Sequence, residues 1–381
     1  MSETQKHTKP NVPNLRFPGF SGEWKQHLLS EYLEFKNGLN PSAKSFGDGI
    51  KFISVMDILN NPYISYDCIR ASVNATEKEK QEFNVEYGDI LFQRSSETLE
   101  DVGHANVYLD RKPALFGGFT IRGKKKGDYN PLFFKYLLDS PKARKKVIVK
   151  GAGAQHFNIG QEGLSSVSLF FPAIREQAKI AELLQLLDQR IAIQNKVIEK
   201  YESLIKALAY DTIGKYTPNT LLSECVRCSS STLKESDLTV EGAVPAYGAA
   251  GISGFTDSAL SDEDSILITK DGSGVGFLRY VNGPHSFVGT LNSMTSKEEV
   301  YLPYIYYALQ NVCFESYRTG QAIPHIYFKD YGKEAIYCPS FDEQKRLANG
   351  LEMIDSKVGI ERATLQYLHS VKAYLLSAMF I

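Results

Sequence analysis

The chain has 381 residues, of which 43% are hydrophobic and 12% aromatic, and its 43 basic and 44 acidic side chains nearly cancel. This composition excludes an extensively disordered protein, and the length is sufficient for two or three packed cores. The sequence has no run of eighteen apolar residues and no apolar leader at its start. We therefore expect neither a membrane span nor a secretory signal, and a cytoplasmic location.

The first globular region is expected at residues 15–171, after an N-terminal tail of residues 1–14. Short β-rich runs such as "YGDILFQR" alternate with glycine, asparagine and aspartate turns, which is typical of a mixed module of strands and short helices. Between Arg122 and Lys150, ten basic residues face only Asp128 and Asp139. Such a cluster can neutralise phosphates, although a charge run is more often a solvated face.

Residues 172–214 are predicted to form a long helix. From Ile180 to Leu208 the apolar residues recur in steps of four and three, which is the pattern of a coiled-coil seam, and polar Gln194 interrupts it. A helix of about 40 residues is expected, with Gly214 as its stop.

Residues 215–338 are predicted to form a second globular module that repeats the first. The segment "LLSECVRC" echoes "LLSEYLEF" of the first module, and "EDSILITK" has the same β-rich character as "YGDILFQR". The glycines of "DGSGVGF" lack the following helix pattern that a cofactor loop requires, so we interpret them as a turn, with close approach of the backbone to DNA as the alternative. Cys225 and Cys228 have no second cysteine pair or nearby histidines, and are interpreted as structural thiols, with a metal or redox site as the alternative.

A second long helix is predicted at residues 339–381. The window that begins at Pro339 repeats the window that begins at Pro172, and the apolar seam recurs with the same offset, so that Glu361 falls where the first copy has Gln194. Ser340 and Glu343 are spaced as a capping box at the helix start. If the two helices pack antiparallel, Gln194 and Glu361 could meet in a polar layer that fixes the helix register.

The predicted fold class is therefore α+β, with two globular modules separated by two long antiparallel coiled-coil helices in a pseudo-two-fold internal repeat. A two-fold ligand with separated sites would match such a repeat, and duplex DNA has that geometry.

Several motifs resemble the specificity subunit of type I restriction-modification enzymes. They are the opening "NLRFPGFSGEW", the segments "YGDILFQRSSE" and "VPAYGAAGISGF", and the paired helix starts "FPAIREQ" and "CPSFDEQ". The resemblance covers nearly the whole chain. It implies two target recognition domains and assembly with two methyltransferase subunits and two endonuclease or translocase subunits. Those partners would carry S-adenosylmethionine, ATP and magnesium, and this chain would carry no cofactor.

The sequence itself lacks the motifs of the corresponding enzymes. It has no Asn-Pro-Pro-aromatic segment of an amino-methyltransferase and no phosphate-binding loop of an ATPase. We therefore expect a non-catalytic subunit that binds double-stranded DNA. The alternatives are a coiled-coil scaffold and a hydrolase of unknown chemistry, and a steep loss of DNA affinity with rising salt would separate a DNA reader from a scaffold.

Candidate DNA contacts are polar or basic residues in turn-flanked segments, where donors can reach base edges or phosphates. They are Gln93, Arg94, Ser95, Ser96, Lys124, Lys125, Lys126 and Lys150 in the first module, and Lys270, Ser273, Arg318 and Gln321 in the second. Trp24, the only tryptophan, is predicted to be a packing anchor.

Overall fold

The structure is a computed structural model that describes residues 11–153, 156–320 and 323–381. The chain divides into two compact units, one of residues up to Ile193 together with Leu365–Ile381, and the other of Gln194–Thr364. Within the described ranges, no helix is both long enough and apolar enough to cross a membrane.

The first unit contains two four-stranded sheets. Its strands are β1 (Lys25–Leu28), β2 (Leu33–Asn37), β3 (Phe46–Ile53), β4 (Ser72–Val73), β5 (Asn84–Val85), β6 (Ile90–Gln93), β7 (Ser95–Ser96), β8 (Ala105–Val107), β9 (Ala114–Phe116), β10 (Thr120–Lys125), β11 (Phe157–Asn158) and β12 (Ser168–Phe171). One sheet has the order β2-β10-β6-β8, and the other has the order β4-β3-β9-β5. Strand β6 is buried along its whole length, as its apolar "ILF" run favours.

Six short helices accompany these strands. They are α1 (Leu29–Tyr32), α2 (Val55–Leu59), α3 (Glu77–Glu82), α4 (Pro131–Asp139), α5 (Pro141–Ile148) and α6 (Gln161–Ser165). Strands β1 and β12 pair antiparallel, with Lys25 opposite Phe171, so the start of the module lies beside the residues that lead into the first long helix.

Trp24 anchors the core of the first unit, as predicted. It is 2% exposed and makes edge-to-face contacts with Phe133 and Phe380. Beside it, Arg16 donates two hydrogen bonds, of 2.7 and 2.8 Å, to the carboxylate of Glu176, which is 2% exposed. This ion pair raises the pKa of Arg16 and ties the "NLRFPGF" segment to the helix start.

The second unit repeats the principal sheet of the first. Its strands are β13 (Thr220–Leu221), β14 (Val226–Ser230), β15 (Val244–Gly248), β16 (Gly251–Thr256), β17 (Ser265–Thr269), β18 (Leu278–Val281), β19 (Ser286–Phe287), β20 (Leu291–Ser296) and β21 (Ala335–Ile336). The order β14-β20-β17-β18 matches β2-β10-β6-β8, and the β13–β21 pair matches β1–β12. The internal repeat predicted from the sequence is therefore present in the strand topology.

The two long helices have close to the expected length. Helix α7 covers Ile174–Ala209 and continues as a π-helical turn, Tyr210–Gly214, so it stops at the predicted glycine. Three short helices of the second unit follow, α8 (Leu222–Cys225), α9 (Leu302–Leu309) and α10 (Phe328–Tyr331), and then the second long helix, α11 (Phe341–Ala378). The predicted seam is the buried face, as Ile180 and Leu184 show on α7 and Leu351 on α11.

Contacts within the second unit show that the long helices run antiparallel there. Gln194 Nε2 donates to the Glu361 carbonyl at 3.1 Å and also to the Glu361 carboxylate. Further along α7, Glu202 pairs with Arg362 at 2.6 Å and lies close enough to Asp355 to affect its pKa. The contact between Gln194 and Glu361 that the sequence suggested is thus formed, and Gln194 is 3% exposed.

A repeated glutamine holds the start of each long helix. Gln177 accepts a hydrogen bond from the Asn130 N–H at 3.0 Å and donates one to the Pro172 carbonyl at 3.0 Å. Gln344 does the same with the Tyr301 N–H and the Pro339 carbonyl, each at 2.8 Å. Each glutamine thereby joins its helix to the N-terminal end of a short helix in the same unit.

The predicted capping box at Ser340 is wrong as regards Glu343. The Glu343 carboxylate is bound by Arg346, with Nε at 2.8 Å, instead of turning back to the chain before the helix. A guanidinium three residues along a helix offers a charge-assisted, bidentate partner, which competes with a single backbone N–H.

Candidate nucleic-acid interface

In the first unit the candidate interface is built around Arg94, the residue that follows β6. Its N–H donates to the Phe119 carbonyl at 2.9 Å, and its carbonyl accepts from the Ile159 N–H at 3.0 Å. Its guanidinium donates to the Gly118 carbonyl at 3.3 Å and is partly exposed. Two neighbouring segments therefore hold the backbone of Arg94 at the end of the central strand.

Lys270 occupies the same place in the second unit, at the end of β17. Its N–H donates to the Thr290 carbonyl and its carbonyl accepts from the Ile326 N–H, both at 2.9 Å. It lines a cavity of about 560 Å³ together with Tyr327 and Lys329. The repeat thus presents one basic side chain at the same strand end in each unit.

A glycine-dependent loop lies beside each of these strand ends. Ala152 and Asn158 exchange two backbone hydrogen bonds of 3.0 and 2.9 Å, and Thr319 and His325 exchange two of 2.9 Å at the corresponding positions. Gly320, with φ +83°, follows Thr319, and a Cβ there would lie 2.4 Å from the Ile323 carbonyl oxygen. Only glycine fits such a position without a shift of the backbone.

The predicted serine contacts lie beside these strand ends and glycine loops, which together we call the rim of each unit. The Ser95 hydroxyl donates to the Asn158 side chain, which links β7 to the glycine loop, and the Ser96 hydroxyl accepts from the Thr98 N–H at 3.3 Å. In the second unit Ser273 is exposed in the turn between β17 and β18, and Arg318 is exposed and pairs with Glu315 at 2.6 Å. Gln321 lies outside the described residues.

Gln93 does not have the position that a base contact requires. It is 6% exposed, and its Nε2 donates to the Ser95 carbonyl at 2.9 Å. Residues alternate between the faces of a strand, so the amide turns inward next to the outward Arg94. We therefore assign Gln93 to shaping the loop.

Most of the basic cluster between Arg122 and Lys150 supports the fold instead of forming one positive patch. Its members bind carbonyls or acids of the first unit: Lys125 binds the Tyr129 carbonyl, Lys135 pairs with Asp139, Lys142 binds the Phe380 carbonyl, Arg144 binds the Glu100 and Val102 carbonyls, Lys146 binds the Ser168 carbonyl, and Lys124 lies 3.7 Å from Glu86. Lys126 and Lys150 are exposed and keep their candidate role.

The sequence did not single out two exposed side chains of this rim, Phe119 and Tyr327. Phe119 is 70% exposed next to Arg94, and Tyr327 is 48% exposed beside the Lys270 cavity. Exposed aromatic rings beside basic groups are suited to contacts with bases and sugars. The two glycines before Phe119 could have identified it from the sequence, because they indicate a turn and a turn exposes the side chain that follows it.

The duplicated sheet presents a basic strand end beside a glycine loop twice, and two similar sites of this kind match a duplex DNA with two half-sites. The chain belongs to the family of type I restriction modification DNA specificity domains, whose model matches residues 21–203 and 226–369. It is thus a sequence-specific DNA-recognition subunit of the type I restriction-modification class.

Two known proteins have similar sequences, one over nearly the full length of this chain and the other over less than half of it. The chain is 22% identical to the putative type I restriction enzyme MjaX specificity subunit of Methanocaldococcus jannaschii, over 94% of this chain and 92% of that protein. It is 27% identical to the Escherichia coli K12 type I restriction enzyme EcoKI specificity subunit, over 43% of this chain and 35% of that protein.

Two solved structures share the fold. The type I restriction-modification S subunit from M. genitalium superimposes with a TM-score of 0.58 at 19% identity, covering 97% of this chain and 99% of that one. A chain from a structure described as the basis of complex assembly and conformational transition of the type I R-M system gives 0.52 at 14% identity, covering 93% and 96%.

Proposed function

We propose that this chain is a non-catalytic subunit whose two units each read one half of an asymmetric, interrupted DNA target. The observation that carries the proposal is the equivalence of Arg94 and Lys270, which follow the central strand in the two copies of one sheet. The neighbours differ, since the first unit has Asn158 where the second has His325. One scaffold with different side chains at its rim would read two different sequences.

In this proposal the catalytic groups belong to partner proteins. Two methyltransferase subunits and two endonuclease or translocase subunits would assemble with the chain and would hold S-adenosylmethionine, ATP and magnesium. The chain itself would confer the choice of sequence. Methyl transfer to DNA by the purified chain alone, with the partner shown to be absent, would contradict the non-catalytic role.

The test changes one strand-end residue at a time in the assembled methyltransferase. The chain is co-expressed with its methyltransferase partner as wild type, Arg94→Ala and Lys270→Ala, and modified adenines are mapped by single-molecule sequencing. A lost base contact costs about 1–3 kcal/mol, so each variant should accept more bases in one half of the target and keep the other half. Lys78→Ala and Lys333→Ala remove exposed lysines of the two units and serve as matched controls.

Two results would contradict the proposal. One is that each strand-end variant weakens both halves of the target equally, and the other is that neither variant changes the pattern of methylation. Affinity that is independent of salt would favour the scaffold alternative, because a DNA reader releases counterions on binding.

A further inference from the structure

Arg279 lies on β18, the edge strand of the β14-β20-β17-β18 sheet, and its guanidinium makes no hydrogen bond or ion pair with another described residue. Burial lowers the pKa of its guanidinium, and the nearby Arg362 lowers it further, while Tyr247 and Tyr306 act in the opposite direction. A partly buried guanidinium without a carboxylate or carbonyl acceptor relies on water for its hydrogen bonds, and an anionic ligand would offset the cost of its partial burial.

The surroundings of Arg279 hold its planar group in place. The guanidinium carbon lies 5.9 Å from the centre of the Tyr247 ring and 5.7 Å from that of Phe277. Gly251 makes room for it, since a Cβ there would lie 3.1 Å from Nη1. Aromatic faces fix the orientation of arginine without using its N–H groups, which stay available as donors.

The adjoining turn offers further donors. Gly272 and Gly276 have φ values of +93° and +86°, and the N–H groups of Ser273 and Gly274 make no backbone hydrogen bond within the described residues. Successive backbone N–H groups in a turn of this kind form an anion-binding concavity.

One cavity of about 820 Å³ brings these donors together. It is lined by Ser273, Gly274 and Arg279 and by Lys206 and Arg362 of the long helices. Two carboxylates, Glu202 and Asp355, also line the cavity. Glu202 engages Arg362 at 2.6 Å, whereas Lys206 is exposed and adds a second cation beside Arg279. Lys270 lines a different cavity, but it lies in the same connection between β17 and β18 as Ser273 and Gly274, so the chain places the proposed base-reading residue close to these donors.

We propose that Arg279, with Lys206 and the N–H groups of Ser273 and Gly274, binds a backbone phosphate of the DNA whose bases Lys270 reads. The assignment rests on the proposed function of the second unit. A phosphate accepts two parallel hydrogen bonds from one guanidinium and others from backbone N–H groups. Such a contact sets the position of the duplex and carries no sequence information itself.

The experiment measures DNA binding by the complex with the methyltransferase subunit, for a target duplex and a scrambled duplex, over a range of salt concentrations. Arg279→Gln should weaken binding to both duplexes by a similar factor, about tenfold at low salt, and reduce the slope of log affinity against log salt by about 0.9. Arg279→Lys should retain the slope. Lys206→Gln, an exposed substitution, should give the same change of slope, and Lys333→Gln should give none.

An unchanged affinity and slope in Arg279→Gln, or a changed preference at one base pair with an unchanged slope, would overturn the phosphate assignment. Competition by inorganic phosphate that is lost in Arg279→Gln, without any effect of the substitution on DNA binding, would show a free-phosphate site instead. Failure of the proposed function is distinguishable, because the wild-type complex would then bind target and scrambled duplexes equally, whatever Arg279 does.

Discussion

Single positions of the repeat have diverged in chemistry, and Glu176 and Glu343 are one such pair. Glu176 is buried and accepts from Arg16 and Trp24, whereas Glu343 pairs with Arg346 at the surface. We expect Glu176→Gln to lower the free energy of unfolding by about 2 kcal/mol, because it leaves a partly buried guanidinium without its charge partner. Glu343→Gln is the matched control and should cause no measurable change. Equal effects in thermal or urea denaturation would contradict this.

Asp188 and Asp355 are a second diverged pair, and they differ in their partners. Asp188 accepts from the Tyr136 hydroxyl at 2.8 Å and from Lys372 at 2.6 Å. At Asp355, burial raises the pKa above its ordinary value; Arg362 lowers it and Glu202 raises it, with burial the largest effect. The folded chain therefore holds the Asp355 proton more tightly than the unfolded chain does, and the stability cost of ionisation grows as pH rises from the ordinary range through the raised value.

This difference predicts opposite effects of the same substitution. Asp355→Asn removes the ionisation cost, so the variant should be more stable than the wild type at pH 8, and the gain should disappear near pH 3, where the carboxyl is protonated in both states. Asp188→Asn should instead destabilise the protein at pH 8 by about 1–3 kcal/mol, because Lys372 loses its charged acceptor. Urea denaturation at the two pH values measures both, and a loss of stability in Asp355→Asn at pH 8 would refute the argument.

At the level of elements, the long helices and the repeat were predictable because their signals are local. The steps of four and three that begin at Ile180 define a buried face whatever packs on it, and the recurrence from Pro172 to Pro339 needs no tertiary information. The strand topology was not predicted, since strand pairing joins distant segments such as β1 and β12.

The candidate site was predictable only in part, for a related physical reason. Arg94 and Lys270 were identified as donors in turn-flanked polar segments, and the structure shows that both lie at equivalent strand ends. Their contact with DNA stays a prediction. The role of Arg144 was not readable, because its acceptors, the carbonyls of Glu100 and Val102, are distant in sequence. Arg279 was not identified from the sequence. Its guanidinium stands out because it has no hydrogen-bond acceptor or ion-pair partner among the described residues, and a sequence does not show which charged side chains are paired in the fold.

The polar contact between the long helices leads to an element-scale prediction. Gln194 is nearly fully buried against Glu361, and Lys357 pairs with the same carboxylate at 2.8 Å. Buried polar groups are costly but disfavour slipped alignments of a coiled coil. Changing both Gln194 and Glu361 to Leu should therefore raise the free energy of unfolding by about 1 kcal/mol while reducing the fidelity of methylation. Thermal denaturation and methylation mapping measure the two effects, and a less stable variant with unchanged fidelity would refute the register role.

For the whole molecule, the repeated sheet order implies that the two recognition units can be exchanged separately. The strands of each sheet all belong to one unit, and each unit is joined to the start of a long helix by its own glutamine, Gln177 or Gln344. The contacts of the first unit also define where a graft should begin. Arg16 and Trp24 contact Glu176 of the long helix, so residues 11–24 should stay with the recipient, and residues 25–171 should be replaced.

A chimera with a foreign segment at residues 25–171 should therefore methylate a target in which one half has changed and the other is retained. The reason is that base contacts come from the rim of each unit, which the graft replaces in one unit only. The starts of the long helices and the Arg16–Glu176 pair are those of the recipient and are unchanged. A second chimera that begins at Leu15 instead of Lys25 is the control for the boundary, and it should fold less stably if the donor lacks an arginine at the position of Arg16. Methylated adenines mapped in cells that express each chimera with the methyltransferase partner give the result. A folded, active chimera that alters both halves of the target would show that the two units do not read DNA independently.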